Sequence, residues 1–336
     1  MKTFRAYRLI TVQRTPLNYI EKQPVKEYNR LTHTKAGGGK VGFISVKETS
    51  EKWGITERVV RQYCADGRVP GAFITGKTWN IPDNAEKPGR KPRQRAVPED
   101  LRGRLMLEKE NRISGGIYHK VQIELTYNSN HMEGSRVSHE QTRYIFETNT
   151  INAPDGSVNV DDILETVNHF RCIDLMIDQA KHKLTENMIR QLHFLLKNGT
   201  ADSRKSWFAT GDYKKLANEV GGRETTAPKD VPKKMKELIA DYEKPGRATL
   251  DDLLDFHYRF ESIHPFQDGN GRVGRLILFK ECLRNGIVPF IFEDDMKMYY
   301  YRGLQEWRKE KGYLRDTCLD AQDRFKNYLD YYGVKY

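Results

Sequence analysis

The sequence predicts a mainly α-helical fold with one small β-hairpin flap. A small N-terminal module of two short helices and its own hairpin precedes it. Beyond residue 100, apolar residues recur at three- and four-residue spacing through nine segments. Two of those segments open on capping boxes, Ser138 with Gln141 and Thr249 with Asp252. The first third also differs from the rest in charge. The 336-residue chain carries 57 Lys+Arg against 46 Asp+Glu, a net +11. Residues 1–100 hold 20 against 10 of these, which leaves 37 against 36 for the remainder. A basic head on a near-neutral body points to an electrostatic partner for the head alone.

The elements are read in chain order. Residues 1–42 form an irregular basic leader ending in Lys35-Ala36-Gly37-Gly38-Gly39-Lys40. Residues 43–86 make the small module. Ser45 and Glu48 box one helix, Gly54 stops it, and Thr56 opens a second that closes at Gly67. Phe73–Thr75 and Trp79–Ile81 then flank Gly76-Lys77 as a hairpin. A basic linker, 87–100, leads to the body, 101–336. Its expected helices are 101–113, 117–131, 139–148, 160–182, 186–198, 232–242, 250–263, 270–285 and 295–310. No run of about 18 apolar residues exists, which argues against a membrane span. The N-terminus lacks the apolar core of a signal peptide. Cys64, Cys172, Cys282 and Cys318 lie far apart with no CxxC pair, as expected of reduced thiols in a cytoplasmic protein.

One stretch carries the chemistry: His264-Pro265-Phe266-Gln267-Asp268-Gly269-Asn270-Gly271-Arg272-Val273-Gly274-Arg275. It follows one helix and opens another. Gly269 and Gly271 allow a tight turn whose amides face outward at a helix start, where the macrodipole favours anions. Arg272 and Arg275, three apart, share a helix face and offer planar forks for phosphate. Asp268 is placed for a hard cation such as Mg²⁺ bridging those phosphates. His264 titrates near neutrality and can take a proton from a hydroxyl. Together these are the parts of a phosphoryl or nucleotidyl transfer site. Gly269-x-Gly271-x-x-Gly274 also fits a dinucleotide fingerprint, but that motif needs a strand before it. Leu250, Leu253, Leu254, His257, Phe260 and Ile263 make a helical stripe there instead.

HPFQDGNGRVGR resembles the Fic-domain signature HxFx(D/E)GNGRxxR at every specified position, within a context that extends over 101–310. The resemblance implies a helical fold that transfers AMP from ATP to a Tyr, Ser or Thr hydroxyl of a target protein, releasing pyrophosphate. In that role His264 deprotonates the hydroxyl and Asp268 binds Mg²⁺. Asn270 with the Gly269 and Gly271 amides holds the α/β-phosphates, Arg272 contacts the β-phosphate region and Arg275 the γ-phosphate. Ser129-Asn130-His131-Met132-Glu133-Gly134 fits the family's inhibitory pattern [S/T]xxxE[G/N]. On a helix of about 117–134, Glu133 would pair with Arg275, and the same glutamate removes AMP in some members. The family's flap corresponds to 211–222, with Lys214, Leu216, Ala217 and Asn218 expected to dock the target. Related folds transfer UMP, phosphocholine or phosphate, and a regulator whose domain only senses nucleotide is the alternative from another class.

The 45–82 segment resembles a winged helix-turn-helix of the MerR or excisionase type. Val46, Trp53, Ile55, Val59, Val60 and Tyr63 would build its core. Arg58, Arg61 and Gln62 would face a major groove, with Lys77 at the wing tip. DNA binding through one such copy implies a homodimer; docking of a protein partner is the competing reading.

Overall fold

The computed structural model describes residues 42–89, 97–152, 156–243 and 246–336. The leader expected at 1–42, Gly42 apart, lies outside the described residues, as do the linker cations Arg90, Lys91, Arg93 and Arg95. The described residues fall into two compact units, 42–89 and 97–336.

The first unit holds β1 (Phe43–Ile44), α1 (Val46–Trp53), α2 (Glu57–Ala65), β2 (Phe73–Thr75) and β3 (Thr78–Pro82). Ser45 and Glu48 form the reciprocal capping box that starts α1, and Gly54 ends it in the left-handed region. Thr56 sits at the N-cap of α2, yet its hydroxyl makes no capping bond. β3 lies between β1 and β2, antiparallel to both. Two residues are too few to show alternation, so β1 is not among the expected elements. Val46, Trp53, Val60, Cys64, Val69 and Ile81 make the core, with Ile55 and Tyr63 packed against it; Val59 is not part of it.

The second unit runs α3 (Leu101–Glu110), α4 (Ile117–Met132), α5 (His139–Thr148), α6 (Val160–Asp178), α7 (Glu186–Lys197), β4 (Glu219–Val220) and β5 (Arg223–Glu224). It continues with α8 (Val231–Tyr242), α9 (Leu250–Ile263), α10 (Asn270–Asn285), α11 (Lys297–Glu306) and α12 (Gly312–Tyr331). Both expected capping boxes form, at Ser138 and Thr249. α12 goes beyond the expected helices, which stop at 310. Its signal is present in Leu314, Cys318, Ala321, Phe325 and Leu329, all buried at helical spacing.

α10 is the axis of this unit. Val273, Leu276, Ile277, Phe279 and Leu283 join one core, while Leu278 and Cys282 join a second. A helix buried on nearly every side must pair whatever charge it carries, and four of its buried residues are Arg272, Arg275, Lys280 and Glu281. α11 closes tightly on α12 at Gly303, where an added Cβ would lie 2.7 Å from the Leu314 Cα. Gly303→Ala is therefore expected to destabilise the protein by about 1–3 kcal/mol through overpacking. A lowered melting temperature checks this.

Candidate active site

α9 delivers the site because its capping box sets its start and its apolar stripe seats it on α10. Its C-cap, His264, stands in the left-handed region at φ 52°, and its amide donates to the Phe260 carbonyl at 2.9 Å. That conformation costs a non-glycine residue of order 1–3 kcal/mol and persists where the surroundings hold it. Burial, then the nearby Lys214 charge, pulls the imidazole down to about 4. His264 is therefore neutral near pH 7.

The loop that follows is braced from inside. Phe266 is fully buried and stacks on His193 at 4.0 Å. The Phe266 amide donates to Asn270 Oδ1 (2.8 Å), and Asn270 Nδ2 donates back to the Phe266 carbonyl (2.9 Å). The Asn270 side chain thus closes the loop on both sides, and its backbone amide lies in the first turn of α10. Gly269, at φ 81°, begins α10, and no side chain caps that helix. Its first-turn amides thus lack intrahelical acceptors.

Arg275 donates three bonds to two residues at the end of α4, Ser129 and Glu133. Its Nε donates to Ser129 Oγ (2.9 Å), and its Nη2 donates to the Ser129 carbonyl (2.9 Å) and to Glu133 Oε1 (2.7 Å). Burial favours the neutral acid at Glu133, but the charges of Arg275 and Arg272 outweigh it and hold the carboxyl below its usual range. A Cβ on Gly271 would lie 2.3 Å from Glu133 Oε1. The carboxylate therefore rests on the first turn of α10, where a helix favours an anion.

Arg272 and Asp268 belong to a second cluster. Arg272 donates to Glu165 and, at 3.3 Å, to Asp268 Oδ2. Lys197 donates to the same two carboxylates, reaching Asp268 Oδ2 at 2.6 Å. Burial opposes ionisation of Asp268, yet Arg272 and Lys197 pull it down to about 2. Sequence reasoning placed neither Glu165 nor Lys197 here. The signal lay in polar residues at core positions, Glu165-Thr166 and Asn168-His169 within α6, and Lys197 one turn beyond His193 on the buried face of α7. Among the described residues, no group of three or more His, Cys, Asp or Glu could hold a metal ion. The donors present suit Mg²⁺ only as an ion shared with a phosphate chain, the usual arrangement for one carboxylate.

The four expected flap residues divide. Leu216 and Ala217 are exposed. Lys214 is buried: its amide donates to the Pro265 carbonyl (2.8 Å) and its Nζ to Asn218 Oδ1 (2.6 Å) and Thr225 Oγ1 (2.5 Å). Asn218 donates to the Phe266 carbonyl (3.1 Å). Lys214 and Asn218 thus tie the β4–β5 segment to the His264 loop and face inward, because their polar groups complete that loop's backbone. His193, also unanticipated, accepts from the Gly211 amide at the flap's start (3.0 Å).

In the first unit, Arg58 and Lys77 are exposed, whereas Arg61 pairs with Glu57 (2.6 Å) and Gln62 with Asp66 (2.8 Å). Residues 42–89 contain seven Lys+Arg against six Asp+Glu, while residues 1–41 contain nine against two. The basic surplus therefore lies mostly in the leader and not in the folded unit. Phe43 and Phe73, exposed and edge to face at 5.1 Å, add apolar surface that a phosphate backbone would not satisfy. Neither DNA nor a second copy is singled out by this unit. If the chain binds duplex DNA, deleting residues 1–41 is expected to weaken that binding more than Arg58→Ala with Lys77→Ala does, as a salt titration of both would register.

No helix among the described residues is long and apolar enough to cross a membrane. The four cysteines are buried and unbridged.

Residues 183–281 match the Fic/DOC family model. Curated relatives include proteins called protein adenylyltransferase Fic from Drosophila grimshawi and Aedes aegypti. They are 25% identical over 224 residues and 26% identical over 223 residues. Those alignments cover 64% and 63% of this chain and 42% of each relative, so the chain spans about two-fifths of their length. Among solved structures, a Fic domain-containing signalling protein from Bacteroides thetaiotaomicron aligns with TM-score 0.51 and 24% identity, over 69% of this chain and 91% of that one. A Fic-1 fragment from C. elegans aligns with TM-score 0.53 and 20% identity, over 66% and 65%. The two likenesses show the helical fold, and the match to the Fic/DOC family model spans residues 183–281, which hold His264, Asp268, Arg272 and Arg275.

Proposed function

We propose that this protein is an adenylyltransferase, moving AMP from ATP to a hydroxyl of a target protein, and that Glu133 holds it in check. The observation that carries this reading is the Glu133 carboxylate bound to Arg275 and resting on Gly271. An internal anion lies where the head of α10 invites an external one. Its removal would leave Arg275 still aimed by Ser129 through two bonds. In this reading Arg275 takes the γ-phosphate, Arg272 the β-phosphate region, and the Gly269–Gly271 amides the α/β-phosphates. His264, neutral near pH 7, accepts the proton of the attacking hydroxyl and keeps it while the oxygen attacks the α-phosphorus and pyrophosphate leaves. Asp268 would hold Mg²⁺, which supplies charge neutralisation to the phosphates. The names of the relatives support ATP as the donor and a protein as the acceptor.

Intact-mass analysis of Glu133→Gly after incubation with ATP and Mg²⁺ tests the reading. A gain of one AMP per chain or per added target is expected. An unchanged mass with ATP bound more tightly than in the wild type would favour a nucleotide sensor; a different added mass would reassign the donor.

A further inference from the structure

Lys197 has no part in the chemistry above, and nothing in the motif requires it. Its side chain is 3% exposed, at the end of α7, and it contacts three carboxylates: Glu165, Asp268 at 2.6 Å and Asp202 at 3.6 Å. With Arg272 it closes a square. Each of the two cations touches both Glu165 and Asp268, and each of those carboxylates is shared by both cations. The square is electrically balanced before any ligand arrives. Three of its corners are buried, while the Asp268 side chain is 47% exposed, so the corner that would meet a metal ion is the only open one.

We infer that Lys197 is a positioning residue that makes metal binding at Asp268 conditional on a phosphate chain. The inference rests on the reading of the α10 head as a phosphate site. A divalent ion entering alone would stand beside an ammonium and a guanidinium, both already bonded to its one carboxylate. A nucleotide's phosphates bring the negative charge that offsets this, so ion and nucleotide enter together. Glu165 keeps Lys197 and Arg272 in place throughout, as the buried acceptor common to both. The arrangement would prevent occupation of Asp268 by free cations and keep its carboxylate ionised and aimed.

The test is a Mn²⁺ titration of the full chain without nucleotide, followed by the paramagnetic signal of the free ion. Wild type is expected to bind Mn²⁺ weakly. Lys197→Met should bind it about tenfold more tightly or better, and so should Lys197→Gln, whose amide retains a hydrogen bond to the carboxylates should the methionine variant fold poorly. Adding Asp268→Ala to either variant should abolish the gain. Equal affinity in wild type and both Lys197 variants, or a gain that survives Asp268→Ala, overturns the inference. Because the titration involves no transfer, its outcome is separable from the function: if Glu133→Gly transfers no AMP while the Mn²⁺ gain appears, the adenylyltransferase reading fails and this one stands.

Discussion

Glu133→Gly is expected to raise AMP transfer about a hundredfold over wild type. The Arg275–Glu133 pair joins a guanidinium whose side chain is 4% exposed to a carboxylate that is 29% exposed. A blocked arrangement favoured by about 3 kcal/mol leaves roughly one molecule in a hundred able to accept a γ-phosphate at Arg275. Deleting a partner of a buried pair is often ruinous because the other charge is stranded. Here it is not, since Ser129 supplies two acceptors to Arg275 that do not depend on Glu133. Ser129→Ala removes one of those acceptors and leaves Glu133 in place, so it should activate far less, by a few-fold at most. Initial rates of labelled AMP incorporation into protein by the three chains decide this. Equal rates in wild type and Glu133→Gly would mean that the carboxylate does not compete with nucleotide.

Much of this was legible in the sequence, for reasons that also mark where legibility ended. Capping boxes are local, so the starts of α1, α5 and α9 could be read from residues three apart. The His264–Arg275 stretch is contiguous, so its turn, helix start and paired arginines could be read together. Glu133 was found only through a pattern, because its partner lies 142 residues further on. Glu165 and Lys197 had only the faint signal of charge at core positions, and only packing reveals that α6 and α7 deliver them to one point. The burial of Lys214 was equally illegible: it lies in a polar, glycine-rich stretch, and only the fold brings the backbone carbonyl and hydroxyl groups around it that make burial feasible. Bulk charge was the weakest guide, since the surplus that marked the head falls mainly in residues 1–41.

His264→Ala in the Glu133→Gly background should lower transfer by at least ~100-fold, the usual span for losing a positioned general base. The pH dependence is the sharper test. A free imidazole loses its basic function as pH falls through about 6.5, but burial and the Lys214 charge place His264 at about 4. The base-competent neutral form therefore persists to lower pH, and the acidic limb of the Glu133→Gly rate profile should lie near pH 4, not near 6.5. Stability moves in the same direction. His169, His193 and His257 are buried and held neutral at about 3, chiefly by burial. For groups whose folded pKa is depressed, the unfolded chain binds more protons below pH 6.5, so stability falls as pH drops from there towards 3. Rate and stability must accordingly be measured together, with the melting temperature recorded at each pH. Lys214→Met separates the two effects, because it removes the second cause of the His264 shift and none of the charges that act on the other three histidines. It should move the acidic limb of the rate upward while leaving the acid dependence of stability nearly unchanged. A limb that stays near 4 in that variant would show that burial alone sets the base, and a limb near 6.5 in the parent would show that His264 is not the base at all.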